Sequence, residues 1–72
     1  SVISVESALN IVCVKCFSGM AGAACAAIDS MQWNEVVGTI AGDDTIFVLC
    51  KTENAAKVFT DNLEKLLNVK NA

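Results

Sequence analysis

Hydrophobic and polar positions alternate along four stretches of the chain, and this pattern predicts four β-strands. The predicted strands cover residues 2–9, 11–17, 35–41 and 45–51. The first strand places Ile3, Val5 and Leu9 on one side and Ser4 and Glu6 on the other. This arrangement is typical of a strand with one buried and one solvated face.

The last predicted strand differs from the others because both of its faces are apolar. Ile46, Val48 and Cys50 alternate there with Phe47 and Leu49. A strand with two apolar faces is usually shielded from water on both. We therefore expect this strand to be central in the sheet, or to be covered on both sides.

Two stretches carry the three- and four-residue spacing of apolar positions that is typical of α-helices. The first covers residues 20–31, with an apolar face formed by Met20, Ala24, Ile28 and Met31. Gly22, Ala26 and Asp29 share a second face, where small residues permit close approach by a ligand or another subunit. Either Ser18 or Gly19 is expected to cap this helix.

The second helix is predicted over residues 53–69, with Thr52 as its N-cap. Its inward stripe consists of Ala56, Phe59, Leu63, Leu66 and Leu67. Glu53 with Lys57, and Asp61 with Lys65, form favourable pairs four residues apart on its outer side. The element order is ββαββα, which predicts an α+β fold: a two-layer sandwich of a four-stranded antiparallel sheet with both helices on one face.

Length and composition add an expectation of self-association. The chain has 72 residues, of which 54% are hydrophobic and only 18% are charged. A domain of this size has too little interior to bury so much apolar surface, so part of that surface should face other subunits. Trp33, the only tryptophan, is expected to cover the core or such an interface.

Charge and cysteine usage restrict the partners and the location of the domain. The net charge is −3 and the five basic residues are scattered lysines, so direct nucleic-acid binding by this domain is not expected. Cys13 and Cys16 point to opposite faces of a strand, and no histidine is present to complete a zinc site. We interpret the four cysteines as free thiols in a reducing cytoplasm, with no bound metal and no membrane segment.

One predicted turn carries the chemistry on which the function depends. Residues 37–46 read VGTIAGDDTI, with Asp43 and Asp44 at a hairpin tip where Gly42 is expected to adopt a positive φ. Adjacent carboxylates repel one another unless a guanidinium, an ammonium, a metal ion or solvent compensates them, and a planar guanidinium fits best. Asp29 is either a solvated acid near a helix end or a third acid with such a partner.

The residue types that catalysis requires are scarce. The chain has no histidine, tyrosine or arginine, which excludes a catalytic triad, and it has no glycine-rich phosphate loop. We therefore expect no enzymatic activity. Two alternatives from other classes are a generic amino-acid-binding regulatory module attached to an enzyme, and a small enzyme that uses paired carboxylates with a metal.

Residues 38–46, GTIAGDDTI, with the apolar strand and amphipathic helix that follow, resemble the C-terminal domain of bacterial arginine repressors. Residues 19–29 are similar to the first helix of that family, and the likeness covers essentially the whole chain. It implies one arginine-binding and oligomerisation domain over residues 1–72, without the N-terminal winged helix-turn-helix domain that binds operator DNA. It also implies trimers that pair into hexamers, with L-arginine as corepressor between the trimers and no other cofactor.

By motif position, the resemblance assigns ligand contacts to particular residues. Asp43 and Asp44 are expected to be the arginine-binding carboxylates, and at least one of them to reach a ligand that is held mainly by the opposite trimer. Asp29 stands where the family has an acidic contact at the end of its first helix. Thr39 and Ala41 are expected to offer mostly backbone groups to the amino-acid end of the ligand.

Gly22 is the one departure from the family pattern at the implied site. The family often carries a polar side chain there, such as glutamine or histidine, that contacts arginine. Glycine cannot supply that hydrogen bond, so water or a shift of subunits would have to compensate.

Overall fold

Six elements follow one another in the predicted order ββαββα in the computed structural model, which describes residues 2–69. They are β1 (Val2–Ala8), β2 (Ile11–Cys16), α1 (Ala21–Ser30), β3 (Val36–Ala41), β4 (Thr45–Cys50) and α2 (Glu53–Leu67). The predicted α+β sandwich is confirmed. Residue 1 and residues 70–72 of the predicted domain lie outside the described residues.

The four strands form one antiparallel sheet in the order β1-β2-β4-β3. β4 pairs with both β2 and β3, so the expectation of a central last strand is confirmed. The register aligns Val14 with Ile46 and Lys15 with Thr45 across β2 and β4. β3 is an edge strand, and α1 packs nearest to it, so that the outer border of the domain is formed by α1 and β3.

One face of the sheet and both helices enclose the core. Val12, Val14, Ile46 and Val48 are fully buried on the covered face, and Leu63 of α2 is fully buried against them. Within residues 2–69, no element covers the opposite face. Its large apolar side chains are exposed over more than a third of their surface: Ile11, Ile40, Phe47 and Leu49. The two apolar faces of β4 therefore have different surroundings within one subunit.

The structure corrects the predicted start, end and buried face of the first helix. The buried side of α1 consists of Ala21, Ala24, Cys25 and Ile28. Met20 and Met31 flank the helix and are exposed, so they do not belong to its apolar face. Neither Ser18 nor Gly19 caps α1, because Met20 occupies the N-cap position. Gly19 instead turns the chain with a φ of 78° before the helix begins.

The second helix begins as predicted and ends earlier. The hydroxyl of Thr52 accepts a hydrogen bond from the N–H of Ala55 at 3.0 Å, which confirms the N-cap. Lys57 lies 3.7 Å from Glu53, as one of the two predicted ion pairs. Leu66 and Leu67 were wrongly assigned to the inward stripe, because both side chains are exposed, Leu67 beside an open groove between the helices. Among residues 2–69, neither helix is long and apolar enough to span a membrane.

Each of the four predicted strands was one residue too long, since Leu9, Phe17, Glu35 and Lys51 lie outside the strands, and the prediction for tryptophan was right. Leu9 and Phe17 fall outside β1 and β2 and are exposed, and Leu9 is a turn residue with a φ of 55°. Trp33 covers the end of the core. Its ring meets that of Phe59 edge-on at 4.6 Å between centroids, and its Nε1 donates to the carbonyl of Ile28 at 3.0 Å.

Candidate functional site

Backbone hydrogen bonds anchor the hairpin tip between β3 and β4 to two other elements. The N–H of Cys16, the last residue of β2, donates to the carbonyl of Asp44 at 2.7 Å. The N–H of Ala21, the first residue of α1, donates to the carbonyl of Asp43 at 3.1 Å. The second bond satisfies one of the N–H groups that the start of a helix leaves without a partner. Both acids therefore have fixed backbone positions where β2 ends and α1 begins.

The hairpin tip forms without a glycine in the left-handed backbone conformation. Among the described residues, Gly19 is the only glycine with a positive φ, so the expectation for Gly42 was wrong. A Cβ atom at Gly42 would lie 3.6 Å from the carbonyl oxygen of Thr45, an ordinary contact. The N–H of Gly42 donates to that carbonyl at 2.8 Å and closes the connection without such a conformation.

The two carboxylates at the tip take hydrogen bonds from different hydroxyl groups. Oδ2 of Asp43 accepts from the hydroxyl of Ser18 at 3.1 Å. Oδ1 of Asp44 accepts from the hydroxyl of Thr45 at 2.9 Å. Both acids are exposed, and neither forms an ion pair with a lysine within residues 2–69. Each carboxylate therefore keeps an oxygen available for a cation from outside the subunit.

Asp29 is exposed and has a hydrogen-bonding partner within the subunit, although this partner is a neutral hydroxyl and not a cation. The hydroxyl of Thr39 on β3 donates to Oδ1 of Asp29 at 2.6 Å. The thiol of Cys25 lies 3.2 Å from the same hydroxyl oxygen and 4.0 Å from Oδ2 of Asp29. A negative charge near the C-terminus of a helix is opposed by the helix dipole, and the Thr39 hydrogen bond compensates for this. Thr39 thus contacts Asp29 through its side chain, and the expected contact between its backbone and a ligand stays a prediction.

Gly22 and Ala41 lie on the same border of the domain. Gly22 is exposed on α1, and a Cβ atom there would meet nothing within 4 Å. The space beside this position is therefore open. Ala41 ends β3 opposite Ile46 and is half-buried on the helix-covered side.

The structure places the six sequence-assigned residues along the border formed by α1 and β3 and at the adjoining hairpin tip, and it joins two of them, Thr39 and Asp29, by a hydrogen bond. Asp43 meets the start of α1 at Ala21, and Asp29 near the end of α1 meets Thr39 of β3. Ala21 and Asp29 are eight residues apart, which corresponds to about 12 Å along the helix axis. The border thus carries carboxylates at both ends of one helix, with open space over Gly22 between them.

Sequence reasoning missed the side chains that hold the three acids. These are Ser18, Thr45 and Cys25, with Lys15 behind Thr45, and also the side chain of Thr39, which was assigned to the site mainly for its backbone. Lys15 and Thr45 are detectable from sequence only once the β2–β4 register is known, because they then lie directly opposite each other. Ser18 gives no such signal, since its contact depends on the tip reaching the β2–α1 connection.

The cysteines are free thiols in the described structure. Cys13 lies half-buried on the open face, whereas Cys16 is buried on the helix side, so the predicted opposite orientation is confirmed. Burial raises the pKa of the Cys16 thiol, and burial together with the negative charge of Glu35 raises the pKa of the Cys50 thiol. Residues 2–69 hold no cluster of three or more Cys, Asp or Glu side chains suited to a metal ion.

Comparison with known proteins defines the class of domain and then its relatives. A family model described as arginine repressor, C-terminal domain, matches residues 1–65, and the chain belongs to this family. The chain is 53% identical over 66 residues to the arginine repressor of Acetivibrio thermocellus, covering 92% of this chain and 43% of that protein. It is 49% identical over 65 residues to the arginine repressor of Ruminiclostridium cellulolyticum, covering 90% of this chain and 43% of that protein.

The arginine repressor of Clostridium novyi extends the match along the chain. It is 49% identical over 70 residues, which cover 97% of this chain and 46% of that protein. The chain therefore spans less than half the length of these relatives. The resemblance expected from the GTIAGDDTI motif is confirmed. Its relatives are named as repressors and not as enzymes, in agreement with the expectation of a non-enzymatic domain.

Proposed function

We propose that this chain is the arginine-sensing, hexamer-forming part of a transcriptional repressor of arginine metabolism in the cytoplasm. The observation that carries the proposal is the hairpin tip. Asp43 and Asp44 are exposed there, fixed through their backbones and without a lysine partner among the described residues. Membership of the arginine repressor family supports arginine as the cation that pairs with these carboxylates.

The ligand chemistry matches the charge pattern of the border. Free L-arginine carries two cationic groups, a guanidinium and an α-ammonium, and the border carries carboxylates at both ends of α1. The guanidinium pairs with Asp43 or Asp44, for which a planar fork of donors is suited to bidentate contact. The family pattern assigns Asp29, Thr39 and Ala41 to the same ligand site, and Gly22 leaves space beside it.

The open face of the sheet supports self-association. Ile11, Ile40, Phe47 and Leu49 form an apolar surface on one side of the domain. Complete burial of each such side chain contributes about 1.5–3 kcal/mol, so covering this surface with a second subunit is strongly favourable. This face and the acidic border point to different sides, which allows one surface to build the trimer while the other receives ligand between trimers.

Ligand binding thereby promotes assembly of the hexamer. An arginine that bridges facing trimers binds the hexamer and not the separated trimers, so it stabilises the hexamer by mass action. Operator DNA is contacted only through an N-terminal domain of the longer protein. A hexamer presents several such domains at once, and the effective concentration of each at neighbouring operator sites increases.

Sedimentation velocity and calorimetry with L-arginine test this function together. We expect arginine to shift the wild-type domain towards hexamers, and Asp43→Asn or Asp44→Asn to weaken both binding and assembly by at least about tenfold. Asp61→Asn on the outer side of α2 is the matched control, because it changes charge equally and lies away from the tip. Normal arginine binding and an unchanged association state in both tip variants would overturn the proposal.

A further inference from the structure

A line of hydrogen bonds runs from Lys15 through Thr45 to Asp44. Lys15 on β2 lies directly opposite Thr45 on β4, and its Nζ is 2.9 Å from the Thr45 hydroxyl oxygen. The same hydroxyl donates to Oδ1 of Asp44 at 2.9 Å. Because a hydroxyl has a single proton, accepting a hydrogen bond from Lys15 leaves that proton for Asp44. The ammonium therefore favours one orientation of the hydroxyl.

The two acids of the tip consequently differ in their surroundings. Asp44 accepts from a hydroxyl that an ammonium polarises, and such linked hydrogen bonds strengthen one another. Within residues 2–69, the side-chain donor to Asp43 is the neutral hydroxyl of Ser18 at 3.1 Å. In this part of the chain, Asp44 is therefore linked to an ammonium through a hydroxyl, and Asp43 is not.

We propose that Lys15 is a positioning residue, an inference that rests on the proposed function. It acts through the Thr45 hydroxyl to fix the direction of the Asp44 carboxylate, and the cationic ligand meets this carboxylate together with that of Asp43. Lys15 does not contact the ligand in this proposal. It sets the direction of a carboxylate that the ligand meets.

Whether the affinity for arginine falls or rises when Lys15 loses its charge distinguishes the positioning role from simple electrostatic repulsion. As a positive charge close to the tip, Lys15 repels arginine, and removing that repulsion in water tightens binding by no more than about threefold. As a positioning residue, Lys15 assists binding, and losing an oriented charge-assisted hydrogen bond weakens affinity by about fivefold. The two roles predict opposite changes when the charge is removed.

Calorimetric titration of the oligomer with L-arginine tests the proposal. Lys15→Met and Thr45→Val should each weaken binding by about fivefold, and the double variant should be no weaker than Thr45→Val alone. Lys15→Arg should retain binding within about twofold, because it keeps the charge and the donors. Lys51→Met, beyond the far end of β4, removes the same charge and should leave affinity unchanged. Tighter or unchanged binding in Lys15→Met, or additive losses, would overturn the role.

If the wild-type protein fails to bind arginine, that result refutes the proposed function but not the contact between Lys15, Thr45 and Asp44. A measurement without ligand then tests this contact. Urea unfolding at one fixed protein concentration gives the coupling between Lys15→Met and Asp44→Asn. We expect a coupling of about two- to fivefold in the unfolding equilibrium constant. It should vanish in a Thr45→Val background. No coupling, or a coupling that persists without the hydroxyl, would refute the role of Lys15.

Discussion

Each of the three acids on the α1–β3 border is held by one hydroxyl group of its own subunit. The hydroxyl of Ser18 donates to Asp43, that of Thr45 to Asp44 and that of Thr39 to Asp29. A hydroxyl fixes the direction of a carboxylate without neutralising its charge, whereas a lysine in direct contact would do both. At the level of single residues, the border is therefore ordered and still negative, as a site for a cationic ligand requires.

Gly22 is the position at which affinity for arginine is expected to be adjustable. Replacing it with glutamine restores a donor and an acceptor in open space, so we expect Gly22→Gln to tighten arginine binding by about fivefold. Gly22→Ala is the control, since it adds helix propensity of up to about 1 kcal/mol but no hydrogen-bonding group. Calorimetry should show a change only for glutamine. Equal tightening in both variants would mean that helix stability, and not a ligand contact, sets affinity here.

The buried thiols predict a loss of stability at alkaline pH. Burial raises the pKa values of Cys16 and Cys50, so the folded protein keeps protons that the unfolded chain releases. The contribution of the two thiols to the free energy of unfolding is fully present below the pKa of an unfolded thiol, about 8.5. It is lost as the pH rises through the pKa values of the folded state. Urea unfolding under reducing conditions at pH 7, 9 and 10 should show this decline. A Cys16→Ala, Cys50→Ala variant should show a shallower one, and an identical slope would contradict the account.

The helices and strands show which parts of the fold the sequence could predict. Residue spacing was sufficient for the order ββαββα and for the central position of β4, because side-chain period and apolar content are local properties. The start and end of α1 were wrong, since the group that satisfies its first N–H is the carbonyl of Asp43, more than twenty residues later in the chain. Such a partner becomes visible only after the hairpin has folded back onto β2.

The cap of α2 was predictable because it is local, and its contribution can be measured. Thr52→Ala removes the hydroxyl that accepts from Ala55 and should destabilise the domain by about 1 kcal/mol. For a domain of this size the melting temperature should fall by about 4–8 °C at a fixed protein concentration. Thr52→Ser keeps the hydroxyl and should remain close to the wild type. Equal losses in the two variants would assign the effect to the methyl group and not to the cap.

At the scale of the whole molecule, the domain has one covered and one open apolar face. Low charge and small size predicted surface left for other subunits, and the open face of β2, β4 and β3 is where that surface lies. The site could be predicted only in part. The GTIAGDDTI motif indicated candidate acids, but the hydroxyls that hold them depend on the contacts between β2, β3, β4 and α1.

A charge placed on the open face should prevent assembly. Phe47 is 52% exposed in the isolated subunit, and Phe47→Asp would bury a carboxylate in the interface that we assign to this face. Sedimentation should show mainly monomers for this variant. Val58→Asp is the matched control, because Val58 on α2 is similarly exposed at 49% and lies on the other side of the domain. Dissociation in both variants, or in neither, would contradict the assignment of the open face.

The central claim is that the carboxylates at the hairpin tip bind the positive charge of free arginine. Calorimetry with L-arginine and L-citrulline tests it most directly, since citrulline has nearly the same shape and a neutral end group. The account predicts that the wild-type domain binds arginine at least about tenfold more tightly than citrulline, because a charge-assisted pair is lost. Equal affinity for the two, or no binding of arginine at all, would contradict it.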